Sequence, residues 1–140
     1  MTEDSFRMTD ACETEVRSLH AFFVDWYTGS IEEDGFERFD DALAPSFEIV
    51  TPDGEVLTRD EIRRYVHDKK DEHADGVFDI EIRNVEAVDV SENRALVRYE
   101  EWQTTGEEGE TNGRLSTALF GRSKEAPEGV DWLHLHETLL

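Results

Sequence analysis

Val130–Leu140, read as V-D-W-L-H-L-H-E-T-L-L, holds the densest set of side chains with usable chemistry in this chain. The strict alternation predicts a β-strand. Trp132, His134, His136 and Thr138 then share one face, and Leu133, Leu135, Glu137 and Leu139 the other. Two histidines two apart on a strand can supply two metal ligands, but no third ligand is set by spacing, so no metal is expected. The competing use of Trp132, His134 and His136 is as a packed interface, where an aromatic anchor is favoured. Glu137 offers different chemistry. A carboxylate in apolar surroundings has a raised pKa and can give or take a proton.

Other reactive side chains are sparse. The single cysteine, Cys12, lies on an apolar helical stripe and reads as a small buried side chain; one cysteine allows no disulfide within the chain and no cysteine zinc site. His20 flanks the same stripe, as a satisfied core histidine or a cap on a cavity. His67 and His73 fall in a charged stretch and read as solvated. No glycine-rich phosphate loop, G-x-S-x-G elbow or H-E-x-x-H pair is present, which removes most support for hydrolase and nucleotide-dependent chemistry. No cofactor is expected.

The elements that would position these residues follow from periodicity. Residues 1–10 are polar and expected to fray, leaving one domain over 11–140. Cys12, Val16, Leu19, Phe23 and Trp26 recur at spacings of a helix face, and Gly29 suits its end. A second short helix carries Phe36, Phe39 and Leu43 and stops at Pro45. Phe47 to Thr51 reads as a strand, P-D-G at 52–54 as a turn, and T-R-D-E at 58–61 as a capping box opening a third helix with Ile62, Tyr65 and Val66 inward. From Phe78 the period is two. Strands are predicted to about Val90, over Ala95–Thr105, over Arg114–Arg122 and at the end, with an exposed loop at 106–113. Helices followed by a strand meander predict an α+β fold, with three helices packed on a strongly curved, mainly antiparallel sheet. Helices on the concave side leave a cone with one open end.

Bulk composition narrows the partners. Thirty-five acidic and 14 basic residues give a net charge of −21, with only three lysines, Lys69, Lys70 and Lys124. That excess repels nucleic acid and anionic membranes. Its even spread fits a surface adapted to high salt. No apolar run approaches a membrane span and no secretory core is seen at the start, so the expected location is the cytoplasm.

The ordered segments A-F-F-V-D-W-Y at 21–27, P-D-G-E at 52–55, R-A-L-V-R-Y-E-E-W-Q-T at 94–104, L-S-T-A-L-F-G-R at 115–122 and W-L-H-L-H-E-T at 132–138 resemble the NTF2-like (cystatin-like) superfamily. The likeness is to its SnoaL-like/DUF4440 branch, which includes the calcium/calmodulin-dependent kinase association domain, and runs from about residue 12 to 139. It implies a homodimer joined through the convex face of the sheet, with one small-molecule cavity per protomer. In the kinase domain the residue after H-x-H faces the cavity and is basic; here it is Glu137, so anion binding of that kind is not implied. Phased in the same way, Arg98, Glu100 and Trp102, then Arg114, Ser116 and Ala118, line the cone beside Leu135. Tyr65 and Trp26 join from the helices, and Glu137 and Glu100 are the candidate catalytic carboxylates. Trp132, His134 and His136, with Tyr99, Leu115, Thr117 and Leu119, fall on the opposite face, as dimer interface or alternative site. The expected function is binding of a small, partly apolar molecule in the cone. One alternative is an isomerase or cyclase of the ketosteroid-isomerase or polyketide-cyclase type, with Glu137 or Glu100 as base and Tyr65 or Arg98 stabilising an enolate. The other is a non-catalytic assembly module.

Overall fold

The computed structural model describes residues 2–74, 76–106 and 108–140. Met1, in the segment expected to fray, and Glu107, in the expected exposed loop, lie outside the described residues. Helix α1 spans Thr2–Thr28, so the helix extends back through the stretch up to residue 10. The reason lies in the stripe itself: Met8 precedes Cys12 by one turn, and Met8, Cys12, Val16, Leu19 and Trp26 are all buried. Gly29, at φ 78°, ends the helix in the left-handed region. A 3-10 turn over Glu33–Phe36 and α2 (Glu37–Asp40) press Phe36 and Phe39 into the core.

Pro45 does not terminate a helix. Strand β1 (Leu43–Val50) begins two residues before it. Pro45 falls where the pairing of β1 with the last strand shifts register, between Leu43 and Glu48. A residue with no N–H is tolerated at such an irregularity. Strand β2 (Val56–Thr58) then leads into α3 (Arg59–His67), whose capping box has the expected form, with the Thr58 side chain accepting from the Glu61 N–H and Glu61 accepting from the Thr58 N–H.

The meander follows as β3 (Phe78–Val90), β4 (Arg94–Thr105), β5 (Glu110–Arg122) and β6 (Val130–Leu139). The sheet order is β2-β1-β6-β5-β4-β3; β1 and β6 run parallel and all other neighbours antiparallel. Part of the expected 106–113 loop is strand, since Glu110 to Gly113 pair with β4. α1 lies across β3, β4 and β6, and α3 packs on β1, so the expected α+β architecture is present.

Two details decide which side chains look inward. On β4 the buried set is Ala95, Val97, Tyr99 and Glu101. Arg98, Glu100 and Trp102 therefore project from the outer face, opposite to their expected phase, and Tyr99 moves inward. Burying an Ala, a Val and a Tyr outweighs burying an Arg–Glu pair that water can solvate. On β6, Trp132 pairs with Phe120 and His134 with Leu119. Leu133 is thus an extra residue, a bulge that reverses the alternation. Trp132, Leu135 and Glu137 consequently share the inner side, and the expected grouping of Trp132 with His134 and His136 does not hold.

Candidate functional site

A cavity of about 340 Å³ lies between α1, α3 and the inner face of the sheet. Phe23, Tyr27, Phe39, Phe47, Phe78 and Trp132 contribute aromatic wall, and Ile49, Ile62 and Leu135 aliphatic wall. Tyr65, Lys69, Glu72 and His73 line it from α3 and the turn beyond, and Tyr65 is 56% exposed. One wall is polar, made by His20, Glu101, Gln103, Arg114 and Glu137.

Strand register assembles that wall. Glu101 on β4 lies directly opposite Arg114 on β5, and Ser116 opposite Glu137 on β6. Arg114 Nη1 donates to Glu137 Oε1 at 3.1 Å, and Ser116 Oγ donates to Glu137 Oε2 at 3.1 Å. Gln103 Nε2 donates to Glu101 Oε2 at 2.6 Å. From α1, His20 Nε2 meets Glu101 Oε1 at 3.0 Å while Nδ1 meets the Val16 carbonyl at 2.6 Å. A carbonyl and a carboxylate are both acceptors, so this geometry suits a ring protonated on both nitrogens.

The electrostatics agree. Burial opposes the His20 charge, but the charge and hydrogen bond of Glu101 outweigh it and raise the His20 pKa. Burial likewise pushes Glu101 up, and is overcome by the charge and hydrogen bond of His20 and the Gln103 amide, so Glu101 stays ionised to unusually low pH. Glu137 goes the other way. Burial first, then the nearby Glu101 charge, lift it, and Arg114 and Ser116 only partly offset them. Two carboxylates of one wall are thus driven apart, which is the arrangement that separates acid from base roles. The Tyr99 hydroxyl and Arg114 Nε are buried here without a hydrogen-bond partner among the described residues. Unsatisfied groups of this kind are uncommon outside strained or functional sites.

A second buried network supports the wall from behind. Glu15, fully buried on α1, takes both guanidinium nitrogens of Arg38 at 2.9 and 3.3 Å and the Trp132 indole N–H at 2.8 Å. This latch holds Trp132 in place against Phe120.

Of the residues expected to line the cone, Tyr65, Leu135, Arg114 and Glu137 do so, and Ser116 lies just beneath Glu137. Trp26 is fully buried and spends its indole N–H on the Val66 carbonyl at 2.8 Å, as core rather than lining. Arg98 pairs with Glu86 at 2.7 Å, and Glu100 accepts from Asn84 and Trp102, all on the outer face. Glu100, expected as a catalytic carboxylate, therefore does not face the cavity. His134 sits 3.5 Å from Glu48 and His136 is exposed. No group of three or more His, Cys, Asp or Glu suited to a metal occurs among the described residues. His73, expected in solvent, stacks on Phe78 at 4.6 Å and lines the cavity. Sequence reasoning passed over Glu101, Gln103 and Glu15. The available signal was the uninterrupted apolar alternation Ala95–Val97–Tyr99, which puts Glu101 on the buried side, and the one-turn spacing of Glu15 from Leu19 on the α1 stripe.

Among solved structures, the chain is similar to an NTF-2 like protein of unknown function from Pseudomonas aeruginosa, at 27% identity and a TM-score of 0.82, covering 93% of this chain and 98% of that one. A putative scytalone dehydratase from Novosphingobium aromaticivorans matches at 12% identity and TM-score 0.70, covering 100% and 89%. The CaMKII hub of S. rosetta matches at 11% and 0.69, covering 97% and 96%. The last two likenesses are of fold alone. No curated protein matches. No helix among the described residues is long and apolar enough to cross a membrane. The NTF2-like fold named from the sequence is present, and a family model also matches the chain. That model, sucrose-6-phosphate phosphohydrolase C-terminal, aligns with residues 13–140, and the chain belongs to this family.

Proposed function

We propose that this protein binds a small, partly apolar molecule in its cone and does so as a homodimer joined through the outer face of the sheet. The observation that carries the binding reading is the cavity of about 340 Å³, apolar on most sides and polar on one, with His20, Glu101 and Glu137 nearly fully buried in that wall. Burying such groups is costly, and a core needing only stability would replace them with packed apolar side chains. Self-association is supported by the outer face, where Leu115, Thr117, Leu119 and Leu133 remain only half-buried with no helix over them among the described residues. Solved structures of similar fold include a kinase hub and an association domain.

The test uses protein purified under native conditions in high salt and denatured to release bound molecules. Wild type should yield a stoichiometric apolar compound by mass spectrometry, and Leu135→Trp, which fills the cavity, should yield none. Equal recovery from both would refute cavity binding. A monomer by light scattering at micromolar concentration would refute the homodimer.

A second reading, acid–base catalysis on the bound molecule, draws on one further observation, the opposed pKa shifts of Glu137 and Glu101. Glu137 would be the proton-transferring group and the His20–Glu101 pair a fixed charge beside it. Glu137→Gln should then abolish turnover while leaving the oligomer intact.

A further inference from the structure

We infer that the molecule taken by the cone is uncharged, carrying a flat apolar ring body and one oxygen-bearing polar group that meets the Glu137–His20 wall. This rests on the proposed use of the cavity and goes further, because the charges lining it are already matched. Arg114 is spent on Glu137 at 3.1 Å, His20 on Glu101 at 3.0 Å, and Lys69 on Glu72 at 3.3 Å. The remaining titratable linings are Tyr27, Tyr65 and His73, and His73 is stacked on Phe78 with rings 7° from parallel.

A carboxylate or an ammonium entering this space would leave its hydration and find the charges of the buried wall, Arg114, His20, Glu101 and Glu137, already paired with one another. Desolvating an ion without a partner is among the largest penalties in binding. A hydroxyl or carbonyl needs only a hydrogen bond, and the polar wall holds both donors and acceptors. The body is specified by the other walls. Phe23 and Tyr27 stack at 5.9 Å with their planes 9° apart, so α1 presents flat aromatic surface, which favours a planar unsaturated partner. A volume of about 340 Å³ is at the small end of ligand pockets, enough for one or two fused rings and too little for an extended chain of them.

The experiment titrates three probes with one ring system: 2-naphthalenemethanol, 2-naphthoate and 2-naphthylmethylammonium. Each is measured by calorimetry at high salt and pH 7 against wild type, Leu135→Trp and Glu137→Gln. The alcohol should bind wild type at least tenfold tighter than either ion, and Leu135→Trp should lose it. Glu137→Gln frees Arg114 of its counter-charge and should raise naphthoate affinity about tenfold, a gain that no general loss of folding can imitate. A charged probe that binds wild type as tightly as the alcohol, with that binding lost in Leu135→Trp, overturns the inference and leaves cavity binding standing. No binding by any probe, or binding untouched by Leu135→Trp, overturns both.

Discussion

At the scale of single residues, His20 and Trp132 do most to shape the candidate site. Both His20 nitrogens face acceptors, so its ring should carry two protons at neutral pH. Nitrogen-15 NMR should find both ring nitrogens in the protonated range at pH 7, and Glu101→Gln should return the residue to an ordinary or lower titration. A neutral ring in the wild type would contradict the pairing. Trp132 is tied to Glu15 by its indole N–H. Trp132→Phe leaves a buried carboxylate one donor short and should cost about 1–3 kcal/mol in denaturant unfolding. The chemical character of this wall was only half legible. Glu137 and Arg114 were placed in the cavity through the resemblance to the kinase association domain, whereas Glu101 was missed because adjacent Glu100 and Glu101 are indistinguishable until the strand's phase is known.

At the scale of elements, phase is the recurring issue. A period-two pattern says which residues share a face and not which face is inside. The bulge at Leu133 breaks even that rule, since a residue added to one strand reverses all that follows. β5 received its inward phase through the family resemblance, since Leu115 and Leu119 on one face and Ala118 and Phe120 on the other leave its own pattern undecided. On the outer face, Gly113 is required by packing: a Cβ there would lie 2.6 Å from the Trp102 ring. Gly113→Ala should therefore destabilise the protein by about 1–3 kcal/mol, and Trp102→Leu in the same chain should recover most of that loss. If the double variant is no better than the single one, the clash is not the cause. The Thr58 cap was legible outright from T-R-D-E, because a capping box depends on neighbours in sequence and on nothing distant. Thr58→Ala should cost about 1 kcal/mol.

At the scale of the whole molecule, charge and fold set the terms. The fold class was readable because element order survives local errors: a misplaced helix end at Pro45 or a misphased β4 leaves helix-then-meander intact. With a net charge of −21, self-repulsion should be screened by salt, so the unfolding midpoint should rise steeply between low and molar salt. The buried groups add a pH dependence. The folded His20 pKa is raised, so its contribution is full below 6.5 and is lost as pH rises through the higher folded value. Glu101 is depressed, so its contribution is full above 4.5 and is lost only in stronger acid. Glu15 and Glu137 are raised, chiefly by burial, and favour the folded state less once they ionise. Stability should therefore peak in mildly acidic solution and fall toward alkaline pH, with His20→Gln flattening the alkaline limb. If the cone is built to be occupied, crystallographic density inside it is the decisive measurement. Continuous density larger than water is expected against Phe23 and Tyr27, with one polar atom within hydrogen-bond distance of Glu137 or His20. A cavity closed by the Tyr27 and Tyr65 side chains, or filled by ordered water even after soaking with the neutral ring alcohol, would contradict it.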